Sequence, residues 1–163
     1  MLPHKQRLME LSPNMEDYLE TIYLQDQEGQ ATKVKTIAEA MGVSKPSVTE
    51  ALSVLMDRGL VLHQKYGDVE LTEKGREAAR SIYYRHCLFY EFFNNILGVP
   101  EELANDDACK VEHLISDVTV IHLSALIKVL EEKLRKDGLM EEFYKAVRKE
   151  AKIIKSKYDN NIL

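Results

Sequence analysis

Through most of the chain, apolar residues recur at intervals of three and four, which places them on one face of a helix. Met15, Leu19, Ile22 and Tyr23 form the first such run. Ser12-Pro13 supplies an N-cap and a first-turn proline, whose missing N–H costs nothing there, and Gly29 stops the run. A short helix over residues 34–41 follows and ends at Gly42. Ser44 caps a third helix reaching about Arg58, with Val48, Leu52 and Leu55 inward. The period then changes. Residues 60–66 and 69–71 are β-prone runs around Gly67-Asp68, which predicts a small hairpin. Thr72 ends it and caps a long helix over residues 73–97, stopped by Gly98 and Pro100. Three more helices are predicted, over residues 101–116, 117–135 and 139–158, with Asp137-Gly138 as a breaker.

The 163 residues suit one ordinary domain or two small ones sharing a core. With 45% hydrophobic and 30% charged residues, the chain is neither disordered nor fibrous. No apolar run approaches the ~20 residues that span a bilayer, and the start, MLPHKQRLMEL, lacks a secretory signal's apolar stretch. Cys87 and Cys109 make no disulfide framework, so they are expected to be free thiols or metal ligands in a reducing cytoplasm. The net charge of −5 argues against a nucleic-acid binder until its distribution is considered. Residues 33–76 hold 7 Lys/Arg against 6 Asp/Glu, and the acidic excess lies elsewhere. A bound divalent cation would reduce that excess.

A short helix, a tight Gly-Val-Ser turn, a second helix and a hairpin follow the order of a winged helix-turn-helix. Ile37, Ala38, Met41, Val43, Val48 and Leu52 form a shared core that aims the second helix's first residues into a major groove. Lys35, Ser44, Lys45, Pro46, Ser47 and Thr49 are the candidate DNA-contacting residues, small or basic enough for phosphates and base edges. Glu50 either reads cytosine or faces away, and Lys65 on the hairpin reaches the flanking backbone. The competing reading is a helical core and hairpin used only for protein contact.

Cys109, Glu112 and His113 stand at i, i+3 and i+4 on a predicted helix. A thiolate, a carboxylate and an imidazole therefore share one face, within reach of one cation. Asp17 and Glu20, at i and i+3 on the first helix, offer two more oxygen donors, and His86 lies midway along the long helix. Singly, each has a plainer role. A lone helical histidine is more often a surface or core residue, and acids near a helix N-terminus suit the macrodipole. A lone cysteine behaves as a small buried apolar group. The Cys-x-x-Glu-His triplet outweighs these because three competent ligands share a face.

MEDYLETIY (residues 15–23), the winged helix, YRH (84–86) and DDACKVEHLISD (106–117) resemble the diphtheria toxin repressor family of metal-dependent regulators, in its short, manganese-transport-regulator-like branch. The resemblance covers roughly residues 12–135. It implies a metal site from Asp17, Cys109, Glu112 and His113, with Glu20 and His86 candidates for a second ion. Asp17 and Glu20 follow the manganese-type pattern, whereas Cys109 follows the iron type, where manganese regulators carry a glutamate. A thiolate offers one donor atom rather than two, which weakens a second site. Tyr90 and Asn105 replace an acid and a histidine of the iron type's ancillary site, so that site is not reproduced. The chain also stops before the SH3-like domain of longer members.

The fold class expected is mainly α. A winged helix-turn-helix DNA-binding domain (residues 1–75) precedes an all-helical metal-binding and dimerisation domain (76–163). The resemblance implies a repressor of metal-uptake and homeostasis genes, activated by Mn(II) or Fe(II) and binding double-stranded operator DNA as a cytoplasmic homodimer. Zn(II), Co(II), Ni(II) and Cd(II) are expected to bind in vitro, because affinity follows the Irving–Williams order. No membrane, small organic substrate or catalysis is expected. The dimer interface is expected from Val118, Ile121, Leu123, Leu126, Ile127, Leu130 and Leu134, with aromatic mass from residues 83–97 and a structural role for His122. The alternatives are a winged-helix regulator sensing a non-metal signal and a zinc hydrolase using Cys109, Glu112 and His113, which lacks an oxyanion device.

Overall fold

The computed structural model describes residues 11–29, 31–64 and 67–159. They form two compact units, one ending at Tyr84 and the other beginning at Arg85.

The first unit runs α1 (Pro13–Gln27), α2 (Val34–Met41), α3 (Lys45–Asp57), β1 (Val61–His63), β2 (Val69–Leu71) and the start of α4 (Glu73–Glu91). Ser12 holds the N-cap position of α1, but its side chain makes no capping hydrogen bond, contrary to its expected role. With Pro13 lacking an N–H, one orphan donor is already removed. Gly42 closes α2 in the left-handed region at φ +64°, the conformation glycine tolerates best. Ser44 accepts from the Ser47 backbone N–H at 3.3 Å and so caps α3. The antiparallel strands pair Val61 with Leu71, Leu62 with Glu70 and His63 with Val69. β1 is shorter than expected, and the Lys65-Tyr66 tip lies outside the described residues.

One apolar cluster joins these elements. Tyr18, Leu19 and Ile22 of α1, Ile37 of α2, and Val48, Leu52 and Leu55 of α3 are buried together with Val61, Val69, Ala79 and Ile82. Polar contacts add direction. Thr36 Oγ1 donates to Gln25 Oε1 at 2.9 Å, tying α2 to α1, and Arg76 pairs with Asp26, tying α4 to α1.

The second unit holds the rest of α4, α5 (Glu101–Glu112), α6 (Asp117–Lys136) and α7 (Met140–Asp159). The long helix does not stay α-helical to Leu97 as expected: residues Phe92–Ile96 form a π-helical turn. The widened turn lets the adjacent Phe92 and Phe93 both pack against the Leu88, Phe89 and Ile96 cluster, where an α-helical step separates neighbours by about 100°. Val120, Leu123, Ile127 and Leu130 of α6 join that cluster. Val118, Ile121, Leu126 and Val129 of the same helix are exposed.

Candidate metal centre and nucleic-acid interface

α5 ends one residue before His113, which is its C-cap in αR conformation, so the triplet occupies the helix's last turn rather than its middle. The αR backbone continues the helical spiral, and the three side chains still converge. Cys109, Glu112 and His113 each place a ligand atom within 4.8 Å of the other two. Glu112 is fully buried. Its Oε2 accepts from His86 Nδ1 at 2.8 Å, while Oε1 lies 3.3 Å from His113 Nε2 and accepts no hydrogen bond among the described residues.

A buried carboxylate oxygen without a hydrogen bond costs roughly 1–3 kcal/mol and calls for a compensating charge. A divalent cation supplies one. Carboxylate, imidazole and thiolate are a donor set that such ions accept. These residues therefore fit a metal.

His86 reaches Glu112 from α4 across 26 residues of sequence, and its Nε2 lies 3.1 Å from Asn105 Oδ1 on α5. Asn105 thus has a function the sequence did not reveal. It anchors the histidine that orients Glu112, the kind of support that ligating carboxylates and histidines receive in metal sites. Arg85 pairs with Asp117, holding α4 to the start of α6 beside the centre. Cys109 is exposed and takes part in no disulfide. Asp17 and Glu20 lie one turn apart on α1 of the first unit, both half-buried.

The candidate DNA-contacting side chains are grouped on the other functional surface. Ser44, Lys45, Pro46, Ser47, Thr49 and Glu50 are all exposed along the first two turns of α3. Ser44 and Ser47 hydroxyls are 2.8 Å apart, and Thr49 Oγ1 donates to the Lys45 carbonyl at 3.0 Å, which orders all three. Each hydroxyl oxygen retains acceptor capacity. The helix N-terminus itself favours a phosphate. Lys35 is exposed on α2, 3.6 Å from Glu39. Lys65 falls outside the described residues.

The likeness to known proteins follows this division. Residues 10–69 match the N-terminal DNA-binding domain of the iron-dependent repressors, and residues 72–144 match their metal-binding and dimerisation domain. The HTH-type transcriptional regulator MntR of Bacillus pumilus (strain SAFR-032) is 36% identical over 121 residues, which is 74% of this chain and 83% of that one. The solved structure of the manganese regulator SloR superimposes with a TM-score of 0.65 at 36% identity, covering 72% of this chain and 55% of that one. A manganese-dependent transcriptional repressor in complex with manganese gives 0.65 at 34% identity, covering 70% and 52%. The chain spans little more than half the length of these two solved relatives. With both of its halves matched in order, the chain belongs to the family of iron-dependent repressors.

Proposed function

We propose that this chain is a cytoplasmic, divalent-metal-activated repressor that binds operator DNA of metal-uptake and homeostasis genes as a homodimer, with Mn(II) or Fe(II) as its ion. The observation that carries the reading is the buried Glu112 carboxylate, held by His86 and left with an unsatisfied oxygen beside His113 and Cys109. Manganese dependence in similar proteins supports the choice of ion.

In this reading Asp17, Cys109, Glu112 and His113 hold the ion, and Glu20 and His86 flank them. The bound cation supplies positive charge to an acidic chain and ties the helix bearing Asp17 to the helical unit. α1 is well placed to pass such a restraint on. Its Tyr18, Leu19 and Ile22 share one close-packed cluster with Val48, Leu52 and Leu55 of α3, so α1 cannot shift without disturbing the reading helix. The Gln25–Thr36 hydrogen bond adds a second link. A restraint that favours the DNA-competent arrangement raises operator affinity by shifting the population toward it. The chain acts as a regulator, without catalysis and without a small organic substrate.

The test is a fluorescence-anisotropy titration of the chain's own upstream DNA at one salt concentration, with chelator, Mn(II), anaerobic Fe(II) or Zn(II). Tight binding only with metal, lost in His113→Ala and Asp17→Ala, is the expected result. Equal affinity in chelator would refute metal activation and leave a winged-helix protein responding to another signal.

A further inference from the structure

One side chain on the surface of α3 does not suit a general DNA contact. Val48, Ala51, Leu52 and Leu55 are buried in the core of the first unit. Pro46, Glu50 and Ser53, at i, i+4 and i+7, form the ridge on the opposite side, and all three are exposed. That side of a reading helix faces the base edges of a major groove, its first turns nearest to them. A carboxylate there meets a polyanion, and α3 offers it no counter-ion. The residues three and four positions away are Ser47, Pro46, Ser53 and Val54. Glu39 on α2 differs, because Lys35 lies 3.6 Å from it.

The chemistry of the base edges limits what Glu50 can meet. An ionised carboxylate only accepts hydrogen bonds. The donors in a major groove are the amino groups at cytosine N4 and adenine N6. Adenine N6 lies between two acceptors, its own N7 and O4 of the paired thymine, and both repel a carboxylate. Cytosine N4 has an acceptor on one side alone, O6 of the paired guanine. The hydroxyls beside Glu50 are neutral and engaged: Thr49 Oγ1 donates to the Lys45 carbonyl, and those of Ser44 and Ser47 bond each other. The carboxylate is therefore the strongest acceptor on this surface.

We propose that Glu50 reads a cytosine in each operator half-site, accepting a hydrogen bond from its N4 amino group, and so sets the base preference at that position. The inference rests on the operator binding proposed above. Against other bases and the phosphates the same charge is repulsive, so Glu50 contributes specificity at some cost in affinity.

The test is selection of sites from a randomised duplex pool by the full chain with Mn(II), repeated with Glu50→Gln and Glu50→Ala. Anisotropy titrations of the selected site, with each base pair varied in turn, follow at one salt concentration. The wild-type chain should lose affinity about tenfold or more when one C·G pair per half-site is replaced. Glu50→Gln should prefer A·T at that same pair, because its amide both donates and accepts and so matches adenine N6 and N7. Glu50→Ala should lose the preference there and bind unrelated DNA more tightly. An unchanged preference at every position in both variants would overturn the inference while leaving operator binding intact. So would a wild-type preference for A·T at the pair whose reading changes with residue 50. A pool from which no sequence is enriched, with Mn(II), anaerobic Fe(II) or chelator, would refute operator binding itself and this inference with it.

Discussion

Replacing Gly75 with alanine sets helix propensity against packing. Gly75 lies in the first turn of α4, where alanine is favoured over glycine by about 1 kcal/mol on propensity alone. A Cβ there would stand 1.8 Å from the Leu60 carbonyl oxygen and 2.8 Å from its carbon, backbone atoms with no freedom to swing aside. Ordinary contact begins near 3.4 Å, so α4 and the entry to β1 must part by about 1.5 Å. Thr72 N donates to Leu60 O at 3.0 Å and Thr72 Oγ1 to Gly59 O at 2.8 Å; both bonds fail at that separation. Two bonds at about 1 kcal/mol each and an overpacking cost of about 1–3 kcal/mol, less the propensity gain, leave a net loss of roughly 2–4 kcal/mol. That is a large part of a typical domain stability of ~5–15 kcal/mol. Urea unfolding followed by circular dichroism measures it, with Gly59→Ala as the comparison. Gly59 has open space around its Cβ position but a φ of +67°, so its cost is about 1–2 kcal/mol of left-handed strain alone. A Gly75→Ala protein as stable as the parent would refute the steric reasoning, because propensity would then be the whole effect. The wing hairpin moves with Leu60, so operator affinity should fall along with stability.

Saturation with Mn(II) at about a hundred times its dissociation constant should stabilise the chain by about 2.7 kcal/mol, read as a rise in melting temperature. Glu112→Gln should lose most of that rise while Glu131→Gln keeps it; equal shifts in the two variants would mean that Glu112 is no ligand. Burial, reinforced by the facing charge and hydrogen bond of Glu131, raises the Glu91 carboxyl above the usual glutamate range. The folded chain therefore keeps a proton that the unfolded chain releases. Its contribution is fully present below the ordinary glutamate value and is lost as pH rises through the raised one. Glu91→Gln should flatten the fall in melting temperature as pH rises above the ordinary glutamate range, and identical slopes would contradict the assignment. Lys45→Ala should weaken operator binding across sequences and lower the salt slope by about 1, whereas an unchanged slope would place Lys45 off the phosphates.

Most of the secondary structure was legible because punctuation coincides with periodicity. Gly42 after Met41, the Ser44 cap and the Thr72 cap mark their boundaries by local chemistry, and all three act as expected, with Thr72 Oγ1 accepting from Gly75 N at 3.0 Å. The misses have local or tertiary causes. Ser12 occupies its cap position without making the bond. The π-helical turn goes with two neighbouring phenylalanines packed on one core, which periodicity does not register. Gln25 reads as a surface polar residue until Thr36 is seen to bond it in a buried place. Asn105 reads as a lost histidine, yet it meets His86.

Sequence spacing alone determined that Cys109, Glu112 and His113 share one helical face, since residues three and four apart are neighbours on any α-helix. It determined equally that the reading helix begins with small and basic residues. What opposes each face was decided only by the tertiary structure. The unsatisfied oxygen of Glu112 depends on α4 bringing His86 against it, and the need for glycine at position 75 depends on Leu60, fifteen residues earlier. The apolar set on α6 divides the same way: Leu123, Ile127 and Leu130 turn into the core, while Val118, Ile121 and Leu126 face outward. Helical periodicity specifies which residues point together, but burial is a property of the neighbouring element, and long-range packing sets which element that is.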